Sequence, residues 1–103
     1  MCQSVNPGKF RFLREQSGTI VLDVRSPKEK YEDGFIPGHE LIDFNEPSFT
    51  QKISNLDKDK TYLVYCRSGN RAQQACGVMH SLGFSSVINL EGGFQNWKAT
   101  FDR

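Results

Sequence analysis

A chain of 103 residues has room for one domain, since domains run about 100–200 residues; it can bury a hydrophobic core without staples. Its 37% hydrophobic, 24% charged and 12% aromatic residues suit a soluble globular protein and exclude a disordered tail or a collagen-like chain. Thirteen Lys and Arg against twelve Asp and Glu leave +1, which points to no nucleic-acid surface and no solvating acidic tail, and no apolar run is long enough to span a bilayer.

Asn6-Pro7 opens a first helix, with Asn6 as cap and Pro7 at the first helical position. Phe10 and Leu13 face inward, and Ser17-Gly18 ends the segment. Thr19-Ile20-Val21-Leu22-Asp23 is apolar in succession rather than in alternation, the mark of a strand buried on both faces. Ser26-Pro27-Lys28-Glu29 is a capping box heading a short helix that Asp33-Gly34 stops. Ile36-Pro37-Gly38 reads as a turn and Leu41-Ile42 as a brief strand. Ser48-Phe49-Thr50-Gln51 reads as a second capping box, with a helix through about residue 55. Asp57, Lys58, Asp59 and Lys60 alternate in sign, a solvated connection.

Thr61-Tyr62-Leu63-Val64-Tyr65 is the strongest strand signal. From Asn70 the pattern is helical: Ala72, Ala75, Cys76, Met79 and Leu82 form one apolar stripe, ended by Gly83. Val87-Ile88-Asn89-Leu90 is a further strand and Gly92-Gly93 a turn. A last helix runs from Phe94 to about Thr100. Strands and helices alternate throughout, which argues for an α/β fold with a mostly parallel sheet.

Three cysteines, Cys2, Cys66 and Cys76, form no CxxC pair. The odd count argues against a disulfide framework and a zinc knuckle. Cys2 reads as incidental at a terminus and Cys76 as a core residue on the helical stripe. A free thiol fits a reducing compartment, and the first residues lack the apolar core of a secretory signal, so the expected location is cytoplasmic.

Cys66 is different. It ends the best strand, precedes a glycine-containing loop and stands before the N-terminus of the best helix. Ligands of open α/β sheets bind at that strand end. None of residues 67 to 71 is proline, so each offers a backbone N–H, and a loop curling around the sulfur can aim several of them at it as an anion nest. The helix N-terminus adds partial positive charge. Both favour the thiolate, the nucleophilic form. Arg67 and Arg71 supply formal charge for an anionic substrate. Asp23 and Arg25 lie at a neighbouring strand end. They can steer anions, but supporting the loop is the commoner use of such groups. Phosphatases and arsenate reductases also set Cys at a strand end and Arg at a helix start. Their loops hold five residues between the two; here there are four, Arg67 through Asn70, a tighter ring suited to one sulfur.

Cys66-Arg67-Ser68-Gly69-Asn70-Arg71 resembles the active-site loop of rhodanese-like sulfurtransferases. Further segments resemble family landmarks in the family's order. They are Leu22-Asp23-Val24-Arg25 with Pro27 and Tyr31, Gly34-Phe35-Ile36-Pro37-Gly38, Gly83-Phe84-Ser85-Ser86-Val87, and Leu90-Glu91-Gly92-Gly93-Phe94 with Trp97. The resemblance implies one rhodanese-like domain over residues 1–103, a three-layer α/β/α fold with a five-stranded mostly parallel sheet. Gln3 to Val5 would be its first strand. It implies transfer of sulfane sulfur from a small anionic donor such as thiosulfate to cyanide, a thiol or a protein, through a Cys66 persulfide. Cys66 is then the catalytic residue, and Arg67, Ser68, Gly69, Asn70 and Arg71 form the substrate-binding loop, supported by Asp23 and Arg25. No metal or organic cofactor, nucleic acid or membrane is implied, and the expected state is a monomer or weak dimer. A partner-specific persulfide carrier or a non-enzymatic binding module is the alternative. Phe35 stands where the family often has His, while His39 follows the turn. His39 is more readily a hydrogen-bonded turn residue than a general base.

Overall fold

The computed structural model describes residues 2–101. Five strands, β1 (Gln3–Val5), β2 (Thr19–Asp23), β3 (His39–Leu41), β4 (Thr61–Tyr65) and β5 (Val87–Leu90), alternate with five helices, α1 (Pro7–Arg14), α2 (Pro27–Asp33), α3 (Phe49–Ser54), α4 (Asn70–Ser81) and α5 (Gly93–Phe101). All pairings are parallel, in the order β1-β5-β4-β2-β3. Each crossover is covered by a segment containing a helix, as parallel pairing requires.

The unbroken apolar runs of β2 and β4 are explained by helices on both faces. Leu22, Tyr62 and Val64 pack with Phe49 and Ile53 of α3 and with Ala72, Ala75 and Met79 of α4. Val21, Leu63 and Tyr65 pack with Phe10 of α1 and Phe94 of α5. Successive side chains point to opposite faces, so each strand serves two cores at once. Register sets Asp23 beside Tyr65, and Val24 donates its N–H to the Tyr65 carbonyl at 3.0 Å. The C-terminal ends of β2 and β4 therefore share one edge, and Cys66 leaves the sheet there.

Three expectations are corrected. The brief strand near Leu41-Ile42 lies earlier, at His39–Leu41, because its hydrogen-bonded register runs from Val21↔His39 to Asp23↔Leu41. Ser48 makes no cap: its ψ of 10° is not the extended value a cap needs, and its hydroxyl bonds Glu46 instead. Cys2 and Cys76 form a disulfide across 74 residues of sequence, with Cα atoms 5.7 Å apart. An odd cysteine count says nothing about whether two of them meet. Strand β1 beside β5 carries Cys2 to the sheet face on which α4 holds Cys76. Cys66 is the free cysteine among the described residues.

Candidate active site

The chain leaves β4 at Tyr65 and bends through Cys66–Gly69 into α4. Gly69 takes φ +105°, a conformation that an L side chain strains to adopt, and this turns its N–H back toward the preceding sulfur. Cys66 Sγ accepts from the Gly69 N–H at 3.1 Å and from the Ala72 N–H at 3.3 Å. Ala72 lies in the first turn of α4, where N–H groups lack intrahelical partners. The sulfur thus sits at the helix N-terminus with two backbone donors aimed at it and is 1% exposed. Negative charge on sulfur is stabilised by fixed dipoles that need no reorganisation.

One polar network holds this loop, and a second, at the same edge of the sheet, braces the turn at residues 34–36. Arg71 makes a two-pronged contact with Glu29, 2.7 Å and 2.8 Å. Glu29 also closes the capping box with Ser26, so the start of α2 is tied to the start of α4. The hydrogen bonds from Arg71 chiefly hold the Glu29 carboxyl down, to about 2. Beneath, Asp23 and Arg25 form a fully buried pair at 2.7 Å. Arg25 donates to the Gly34 carbonyl, while the Tyr65 hydroxyl donates to Asp23 and accepts the Ile36 N–H. Burial works against the Arg25 charge, but the hydrogen bonds and charge of Asp23 more than offset it. Burial first, then Asp23, pushes the Tyr65 hydroxyl up. Arg25 Nη1 has no hydrogen-bond partner among the described residues; the guanidinium lies over the Phe94 ring at 4.7 Å and the Tyr65 ring at 5.2 Å.

A strand-end cysteine cradled by a tight loop on a five-stranded parallel sheet finds its counterpart among known proteins. The rhodanese-like domain family matches residues 6–100. The chain belongs to that family. It is 37% identical over 97 residues to the thiosulfate sulfurtransferase GlpE of Pseudomonas putida, covering 94% of this chain and 86% of that protein. The protein of the same name from Pseudomonas paraeruginosa is 36% identical over 99 residues, covering 96% and 86%. Among solved structures, a rhodanese-related protein of Thermoplasma volcanium superimposes with a TM-score of 0.82 at 32% identity, covering 96% and 93%. The rhodanese-like domain of an Anabaena protein gives 0.79 at 28%, covering 98% and 76%.

The rhodanese loop brings the expected residues together in different roles. Gly69 donates to the sulfur. Arg67, Ser68 and Asn70 are exposed on the rim. Arg71 is engaged with Glu29, and Asp23 and Arg25 are turned inward to each other rather than to the cleft. The His39 side chain lies outside the described portion of the molecule. Among the described residues no cluster of His, Cys, Asp and Glu of metal-holding size occurs, and no helix is long and apolar enough to cross a membrane.

The sequence reading missed several supports. Ala72 lies one residue past the span taken for the nest; the orphan N–H groups of a first helical turn were the available signal. Glu29 was read as a cap alone. Gly92-Gly93 was read as a turn, yet Phe94 and Gln95 donate their N–H groups to the Cys66 and Arg67 carbonyls at 2.8 Å and 3.0 Å. A Cβ on Gly93 would stand 2.4 Å from the Arg67 carbonyl oxygen, so the loop rests directly on the start of α5.

Proposed function

We propose that this rhodanese-like domain, residues 1–103, is a thiosulfate sulfurtransferase that works through Cys66. The observation that carries the reading is the pair of N–H groups, from Gly69 and Ala72, on a sulfur that ends β4. The Cys66 thiolate attacks the outer sulfur of thiosulfate. The sulfur–sulfur bond of the donor breaks, and sulfite leaves with the electron pair. The outer sulfur stays on Cys66 as a persulfide. Cyanide carbon or an acceptor thiolate then attacks that sulfur. The bond to Sγ breaks, the electron pair returns to Cys66, and thiocyanate or an acceptor persulfide is released. The same N–H pair steadies the negative sulfur at the start and the end of the cycle. Exposed Arg67 attracts the anionic donor, and Arg71 holds the loop through Glu29.

The experiment mixes thiosulfate with the protein before any cyanide is added. Sulfite should appear in an amount equal to the protein, and thiocyanate should follow on adding cyanide. Thiocyanate without the initial sulfite burst overturns the persulfide route. The proposal sets the reaction in the cytoplasm on the strength of the free Cys66. The Cys2–Cys76 disulfide argues the other way, toward an oxidising compartment. Thiol trapping in fractionated cells decides between them.

A further inference from the structure

The chain's net charge is only +1, yet charge is unevenly placed. Helices α1 and α5, which cover one face of the sheet, carry Lys9, Arg11, Arg14 and Lys98 and no Asp or Glu. The segment from β3 to the start of β4 instead holds Glu40, Asp43, Glu46, Asp57 and Asp59 against Lys52, Lys58 and Lys60, an acidic excess of two. The α1/α5 face is also aromatic. Phe94, Trp97 and Phe101 of α5 line a groove of about 340 Å³ together with Phe35. Phe35 is itself 45% exposed.

Cations stand over these rings. Arg11 lies 4.8 Å from the Phe101 ring centre, Arg14 5.6 Å from Trp97, Lys98 5.8 Å from Phe94 and Lys30 4.9 Å from Phe35. Among the described residues, the anions close by are Glu15, 3.7 Å from Arg14, and Asp33. The groove continues into a second cavity of about 280 Å³ that shares Asp33, Phe94 and Lys98 with it and is bounded by Arg67. Arg67 directly follows Cys66. An aromatic trough edged with cations therefore runs from the far end of α5 to the residue beside the sulfur.

We propose that this trough docks an acidic segment of a protein whose cysteine takes the sulfur from Cys66. The inference rests on the sulfurtransferase reading above and adds the class of acceptor and where it lies. Thiosulfate and cyanide are too small to touch Trp97 or Phe101. Aromatic rings offer apolar contact to a peptide, and the cations around them select acidic over basic sequence.

Two synthetic ten-residue peptides, each with one terminal cysteine and differing only in Glu for Lys, serve as acceptors. A chain of that length spans about 30 Å when extended, comparable with the 37 Å long axis of the domain. The protein is first loaded with thiosulfate, and loading is checked by mass. Single-turnover transfer to the Glu peptide should be about tenfold faster than to the Lys peptide at low salt, the yield of two or three exposed charge pairs, and the two rates should converge near 1 M salt. The Arg11→Glu/Arg14→Glu protein should lose this preference and keep its thiosulfate–cyanide turnover; Lys98→Glu alone should weaken it. Trp97 is the only tryptophan, so cysteine-free versions of the peptides read binding by fluorescence with no chemistry at all. Failure to load the protein overturns the sulfurtransferase reading, and the fluorescence arm still tests the trough. Equal rates and equal binding for the two peptides overturn the docking proposal. So does a single-stranded oligonucleotide that displaces the Glu peptide as well as unlabelled peptide does, because it reveals a general polyanion surface.

Discussion

Gly93→Ala is the sharpest perturbation of the sulfur cradle that leaves every cradle residue in place. The added Cβ would meet the Arg67 carbonyl oxygen at 2.4 Å and the Ser68 nitrogen at 2.6 Å, where ordinary contact begins at 3.4 Å. These are backbone atoms and cannot rotate away, so the 67–68 peptide must move by about 1 Å, a displacement that costs roughly a hundredfold in rate when it misplaces reacting groups. The left-handed φ of +64° adds about 1 kcal/mol of strain, and overpacking about 1–3 kcal/mol. Their sum, about 2–4 kcal/mol, stays below the roughly 5–15 kcal/mol that holds a domain folded. The variant should fold, melt roughly 10–25 °C lower and turn over thiosulfate and cyanide about a hundredfold more slowly. Gly18→Ala is the control. Gly18 has φ +78° but nothing within 4 Å of its would-be Cβ, and it precedes β2 at the opposite edge of the sheet. It should lose about 1 kcal/mol and no activity. Full turnover by Gly93→Ala, measured well below its melting temperature, would refute the reasoning that the start of α5 sets the loop.

Arg67 and Arg71 should separate under steady-state kinetics. Arg67→Ala should raise KM for thiosulfate several-fold with little effect on a neutral donor, and the difference should shrink as salt rises. Arg71→Ala should lower kcat with both donors; equal losses on both donors in the two variants contradict the division. The Glu29 carboxyl is held at about 2, below its unfolded value. Its contribution is therefore complete above about pH 5 and fades as pH falls toward 2. Glu29→Gln should be less stable than wild type by about 1 kcal/mol at neutral pH. In urea titrations that gap should close in acid, and a gap independent of pH contradicts the pairing. Reducing the Cys2–Cys76 bond, which spans 74 residues, should cost about 4 kcal/mol by the chain-entropy argument. An unchanged melting temperature in reductant contradicts the bridge.

Strand β4, helix α4 and the capping box of α2 were legible because each rests on local signals that tertiary contacts reinforce. Cys66 was legible for the same reason: strand end, glycine and helix start are adjacent in sequence. What stayed hidden depends on contacts between distant segments. Glu29 and Arg71 are 42 residues apart, and nothing in Ser26–Glu29 signals a second duty. Gly93 acts on the loop through backbone proximity, which leaves no residue-type signature beyond the glycine itself. Cys2 meets Cys76 only because β1 pairs with β5 and α4 packs on that strand; local propensity did not reveal β1, and the family resemblance alone suggested it. Asp23 and Arg25 were readable as polar groups at a strand end. That they face one another and brace the turn at residues 34–36 follows from burial on both sides of β2.

The most direct test of the account is where sulfur lands. After exposure to thiosulfate and removal of excess donor, mass spectrometry of the intact protein and its fragments should find one added sulfur atom, on the fragment holding Cys66. Cys66→Ser should gain none and make no thiocyanate. Cys76→Ser, which frees Cys2 and breaks the disulfide, should still load sulfur on Cys66 and keep most of its turnover once its lower stability is allowed for. Added sulfur on Cys2 or Cys76 in the wild-type protein, or full turnover by Cys66→Ser, would contradict the account at its centre.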